Sequence, residues 1–172
     1  AAAKPVVDAC PAGAENLPIR LAALLLSLGE GGTRRTLRRL RCSNACIEET
    51  AVLVREVVSG VPVSLNIYTR KLLGKYNLCT VQRLAALGTA LQPEHAADFA
   101  ALSELAEQLD ADGVCCRVSQ LAVNGRDLMA AGVPAGPGIR KVLEALLDGV
   151  IREEYPNERQ ALLAAVQQLA AS

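Results

Sequence analysis

Apolar residues recur along most of this chain at intervals of three and four, the spacing that lines one face of an α-helix. No segment reads as a strand. The pattern predicts a first helix over residues 18–28, with Pro18 in the first turn, where a missing N–H costs nothing, and Gly29, Gly31 and Gly32 ending it. Thr33 is placed to cap a short helix to Arg41. Ser43 or Asn44 caps the next, with Glu48 and Glu49 in its first turns and Gly60 closing it. Further helices are predicted at about 64–75, 80–91 and 93–109, the last with Ala96, Phe99, Ala100, Leu102, Ser103 and Ala106 along one broad stripe.

Residues 110–113 read as a turn and as the boundary between two segments. Beyond it, Asn124 stands as the cap of a brief helix, with Asp127 at the capping-box position, and Gly132 and Pro134 break that helix. A strongly periodic helix follows through Val142, Leu143, Leu146, Leu147, Val150 and Ile151, and Pro156 and Asn157 start a final helix over 158–169. The expected fold is all-α: an irregular, right-angled array of about nine or ten helices. Residues 1–16 read as a leader or linker, 17–110 as one helical domain and 111–172 as a second.

Composition supports this reading. Hydrophobic residues make up 51% of the 172, yet only three Tyr and one Phe are aromatic. Ala and Leu, which dominate, are strong helix formers, whereas strands favour aromatic and β-branched side chains. The apolar run 21–28 is interrupted by Ser27 and falls far short of the roughly 20 residues that span a bilayer. The six cysteines form no pair of Cys-x-x-Cys knuckles and His95 is the only histidine, so a zinc site is not expected. They read as reduced, mostly buried thiols of a cytoplasmic protein.

Net charge is zero, but its distribution is lopsided. Residues 17–75 carry ten Lys and Arg against four acids; residues 76–172 carry seven against twelve. Such a split points to an anionic partner on the first half.

Two motifs could meet that partner. In Thr33-Arg-Arg-Thr-Leu-Arg-Arg-Leu-Arg41, helical spacing puts Arg34, Arg38 and Arg41 on one ridge, with Arg35 and Arg39 beside it and Leu37 and Leu40 anchoring the buried face. A guanidinium suits phosphate because its planar fork donates two parallel hydrogen bonds. The competing reading is a solvated face paired with the chain's own acids. The second motif is helix, Gly132-Val-Pro-Ala-Gly-Pro-Gly138, helix. Gly136 and Gly138 allow close approach to a helix start whose free amides favour an anion, and Arg126, Arg140 and Lys141 add charge. That layout is shared with helix-hairpin-helix elements, which grip a nucleic-acid backbone; a tight corner packed for its own sake is the alternative. No catalytic set appears. Asp110 and Asp112 lie in a turn, no Ser/His/Asp group assembles around His95, and no Gly-Lys-Ser/Thr phosphate loop occurs.

The stretch Leu121-Ala-Val-Asn-Gly-Arg-Asp-Leu-Met129, then Gly132-Val-Pro-Ala-Gly-Pro-Gly-Ile139 and Pro156-Asn157-Glu158, resembles the tail of bacterial tRNA nucleotidyltransferases. These are the CCA-adding enzymes and their poly(A) polymerase relatives. Upstream, Leu37-Arg-Arg-Leu-Arg-Cys-Ser-Asn44 is similar to a Leu-Lys/Arg-Arg-Leu-Arg-Phe/Tyr-Ser-Asn pattern of the family. Residues 19–30 resemble a helix that in many members ends in His-Asp; Leu26-Ser27 stand there instead, removing any metal role of such a pair. The likeness covers about residues 17–169. It implies a body and a tail that hold tRNA by its backbone, while head and neck domains of the parent protein carry the nucleotidyl transfer with Mg²⁺, ATP and CTP. No catalytic centre, metal or cofactor is expected in this stretch itself. The partners implied are tRNA or a tRNA-like RNA and those head and neck domains, with no membrane. The rival expectation is a helical protein-interaction module of the same ancestry that no longer binds RNA. A CCA-adding and a poly(A)-adding parent are not separated by these residues.

Overall fold

A computed structural model describes residues 3–57 and 64–170, and they form an all-α protein. Among the described residues there are ten α-helices and no strand. They are α1 (Ala3–Ala9), α2 (Leu17–Leu25), α3 (Gly29–Arg39), α4 (Asn44–Glu56) and α5 (Leu65–Lys75). Then come α6 (Leu78–Leu91), α7 (Ala96–Ala111), α8 (Gly125–Ala130), α9 (Pro137–Ile151) and α10 (Arg159–Ala170). Short 3₁₀ turns at Ala14–Asn16, Leu26–Leu28, Pro93–His95 and Val118–Gln120 link several of them. The chain divides into two compact units: Ala1–Leu65 with Tyr76–Gln108, and Asn66–Lys75 with Leu109–Ser172.

In the first unit, α4 packs against α2, α3 and α6. Ile47, Ala51, Leu53 and Val54 of α4 are buried, as are Ile19, Ala22 and Ala23 of α2 and Val81, Leu84, Ala85 and Leu87 of α6. Removing one Leu or Ile of this kind from water contributes roughly 1.5–3 kcal/mol. Ser43 starts α4, its Oγ accepting the Cys46 N–H at 3.3 Å. Asn77 starts α6 in the same way through Thr80 N–H at 2.8 Å, two residues before the expected start. Gly60, expected to close α4, lies outside the described residues; the last residue of α4 is Glu56.

The junction of α2 and α3 differs from the expectation. The glycines do not form a loop. The chain redirects at Gly29, whose φ of +62° is open to glycine, and α3 begins there, running through Gly31 and Gly32. Thr33 is therefore no cap. It is fully buried, and its hydroxyl donates to the Leu25 carbonyl at 3.5 Å, where α2 gives way to the 3₁₀ turn.

The second unit is built on a cluster of Cys115, Val123, Leu128, Leu146, Val150, Leu162, Ala165 and Val166, joining α8, α9 and α10. The capping box at Asn124 forms as expected. Its Oδ1 accepts from Arg126 N–H at 2.9 Å, and Asp127 returns an acceptor to Asn124 N–H at 2.9 Å. Asn157 does not start α10, which begins at Arg159. Its amide donates to the Gln120 carbonyl and its Oδ1 accepts from Ala122 N–H, both at 2.9 Å.

Candidate nucleic-acid interface

In α3 the buried positions are Thr33 and Leu37, four apart, so they fix which side faces the core. Leu37 is enclosed by Leu25 and Ile47, with Cys42 packed alongside. Leu40, expected to share that anchoring, is 65% exposed. The reason is local. The helix ends in a Schellman motif, in which Cys42 N–H donates to Leu37 O at 3.1 Å and Arg41 N–H to Arg38 O at 3.0 Å. This turns Leu40 outward and puts Arg41 in the left-handed region at φ +57°. Arg41 thus stands past the helix end, and the ridge of Arg34, Arg38 and Arg41 does not form as an uninterrupted helical row.

The arginines separate into two groups. Arg34, with 23% of its side chain exposed, is tied to acids: Nε and Nη2 donate to Glu30 at 3.1 and 3.0 Å, and Nη1 pairs with Glu48 of α4. Glu30 also receives Arg55 at 3.2 Å, and Arg55 donates to Tyr76 Oη at 2.7 Å, which donates to Glu56 at 2.7 Å. The hydrogen bond from Arg34 holds the Glu48 carboxyl below its ordinary range. Burial, then the bond to Glu56, raises the Tyr76 hydroxyl. Arg34 is thus a link between α3 and α4. By contrast Arg35, Arg38, Arg39 and Arg41 are exposed, and among the described residues they make no ion pair or side-chain hydrogen bond. Arg35 lies three and four residues before Arg38 and Arg39, so the exposed group keeps Arg38 of the expected ridge and has Arg35 in place of Arg34. Arg38 and Arg39 also occupy the last turn of α3, where a cation meets the negative helix end.

The second motif lies in the other unit. Gly136, at φ +138°, is the N-cap of α9 and offers no side-chain acceptor to the first amides. A β-carbon on Gly138 would meet no atom within 4 Å, so the start of α9 is open to solvent. Arg140 is 85% exposed and pairs with Glu144 one turn on, at 2.8 Å. Lys141 and Arg126 are exposed; among the described residues neither makes an ion pair. Asp127 of the capping box receives Arg159 at 2.7 Å, which leaves Arg126 as the cation of α8 that points to solvent unpaired. The sequence does not single out Lys75, one turn beyond Lys71 on α5, although their i, i+4 spacing is a readable signal. No helix among the described residues is long and apolar enough to cross a membrane.

Residues 19–166 match the model of the family described as tRNA nucleotidyltransferase domain 2. Two curated proteins share shorter stretches. A CC-adding tRNA nucleotidyltransferase of Shouchella clausii is 41% identical over 61 residues, 36% of this chain and 16% of that protein. A CCA-adding enzyme of Levilactobacillus brevis is 52% identical over 46 residues, 27% of this chain and 12% of that protein. The aligned stretches therefore cover less than a fifth of either relative. No solved structure gives a significant match.

Proposed function

The chain belongs to the tRNA nucleotidyltransferase domain 2 family, and from that premise we propose that it holds tRNA by its sugar–phosphate backbone while a catalytic domain extends the RNA 3′ end. The observation that carries the reading is the group of four exposed arginines without ion pairs, Arg35, Arg38, Arg39 and Arg41, at the end of α3. A chain of zero net charge has an acid for every cation, and Arg34, Arg55, Arg70 and Arg83 all use theirs. Leaving four exposed guanidiniums without an ion pair within seven residues favours association with an external anion. Arg41 supports this from another direction. Its left-handed conformation costs about 1 kcal/mol that glycine would avoid, so the charge is kept at the expense of stability.

The start of α9 adds a second contact of the same chemistry, with an exposed Gly138, and Arg140 and Lys141 in the first two turns. Both places offer cations or helix-start amides suited to phosphate, so the proposed grip is on backbone and shape. Transfer itself, with Mg²⁺, ATP and CTP, belongs to head and neck domains of the parent protein.

Titration of the protein with a tRNA transcript at low salt tests this. The wild type binds, and replacing Arg38 and Arg41 together by Ala weakens binding by on the order of 1–3 kcal/mol. A wild type that shows no binding contradicts the reading and favours the RNA-free interaction module.

A further inference from the structure

Among the described residues five large apolar side chains are exposed, and three of them, Leu17, Leu24 and Leu28, lie on α2 and the 3₁₀ turn that follows it. With the half-buried Leu21 they are spaced four, three and four apart, the heptad rhythm of a seam that receives a partner helix. Leu21 packs inward on the cluster of Leu25, Leu37 and Ile47, which ties the row to the core. The face that α2 uses for its own unit is a different one, carrying buried Ile19, Ala22 and Ala23. Single leucines in water are ordinary on a surface. Three in one register, each about half exposed, mark a contact surface.

The row continues into α3 with a change of chemistry. A β-carbon on Gly32 would lie 2.8 Å from Leu28 Cβ, so glycine leaves room for that leucine over the first turn. Arg35 and Arg39 follow Gly32 at i+3 and i+7, on the same side of the helix. Arg20 borders the leucines on α2, three residues after Leu17 and four before Leu24.

Charge then selects the occupant. Arg20, Arg35 and Arg39 are exposed, and none makes an ion pair among the described residues. Across residues 17–41 the sequence has one acid, Glu30, which Arg34 and Arg55 hold. The apolar row is thus bordered by a single sign of charge. RNA would satisfy the arginines and leave the leucines in water. A second copy of the chain would cover the leucines and set arginine against arginine. A helix with leucine-type residues at heptad spacing and Glu or Asp beside them satisfies both.

We propose that this row is a docking seam for an acidic amphipathic helix of another polypeptide, anchored on Leu17, Leu24 and Leu28, with Arg20, Arg35 and Arg39 setting the sign of the partner. The proposal does not depend on the RNA-holding reading. Arg35 and Arg39 belong also to the group assigned there; Leu24 and Arg20 do not, and the test is made on those two.

Two synthetic helical peptides of about 20 residues are the probes. They share the same leucine heptads, and one carries Glu and the other Lys at the flanking positions. Each is titrated into wild type, Leu24→Ser and Arg20→Glu, with folding checked by circular dichroism. Wild type is expected to bind the Glu peptide about tenfold more tightly than the Lys peptide. Leu24→Ser is expected to weaken the Glu peptide about tenfold while tRNA affinity stays at the wild-type value. Arg20→Glu is expected to tighten the Lys peptide about threefold, a gain that unfolding cannot produce. Wild type that binds neither peptide, or both equally, overturns the proposal. Three further results overturn it by assigning the row elsewhere: a wild-type dimer in sedimentation that Leu24→Ser dissociates, to a second copy; binding to anionic phospholipid vesicles and to neither peptide, to a lipid surface; loss of tRNA affinity in a folded Leu24→Ser, to RNA.

Discussion

Asn157 donates its amide to the carbonyl oxygen of Gln120, 37 residues earlier, at 2.9 Å. The same side chain accepts from Ala122 N–H, so one carboxamide closes the segment ahead of α8 onto the segment ahead of α10. Replacing Asn157 by Ala removes both bonds and leaves two backbone groups to find water. A loss of about 1–2 kcal/mol is expected. Asn157→Asp, which keeps only the acceptor, should fall between Ala and wild type in thermal denaturation.

Gly88 and Phe99 give a second test, in the first unit. A β-carbon on Gly88 would sit 2.3 Å from Phe99 Cε1, and the Phe99 ring is 3% exposed with little room to retreat. Gly88→Ala should therefore destabilise by about 1–3 kcal/mol, despite the better helix propensity of Ala. A denaturation midpoint at or above wild type would show that Phe99 repacks freely.

The cysteines give a prediction in pH. Burial raises the thiols of Cys115 and Cys116 above their ordinary value, with nearby Arg70 opposing it. Both states hold neutral thiols below the unfolded value of about 8.5. Above it the unfolded chain releases protons the folded chain retains, so stability falls as pH climbs toward the folded values. A thiol reagent at pH 7.5 should label exposed Cys79 first and reach Cys115 and Cys116 only on denaturation.

Arg41 yields effects of opposite sign. Arg41→Gly relieves the left-handed strain and should raise stability by about 0.5–1 kcal/mol. The same change should weaken tRNA binding, because it deletes an exposed guanidinium. A variant both more stable and equally tight would mean that Arg41 does not touch RNA.

Local signals were legible in the sequence. Ser43 and the Asn124–Asp127 box act within three residues, and each does what its spacing implies. Thr33 and Asn157 look like caps too, yet both serve distant partners: Leu25, eight residues back, and Gln120. Only the folded packing shows this. The exposed arginine row is shifted for a similar reason. Helical spacing alone favours Arg34, but packing of α3 on α4 brings Glu48 to it and turns Arg35 outward. Leu40 departs from the expected buried face because its exposure depends on where the helix stops, and a Schellman end at a non-glycine residue leaves little trace in sequence.

The most direct measurement of RNA holding is the dependence of tRNA affinity on salt, for wild type and for the Arg38→Ala/Arg41→Ala variant. Backbone contacts release counterions, so log K falls linearly with log salt, and each lost contact flattens the slope by roughly one. The two exposed arginines at the end of α3 predict a variant slope shallower by about two, with helical content unchanged because Leu37 still anchors the helix. Equal slopes and equal affinities for the two proteins would contradict it and reduce the cluster to a solvated surface.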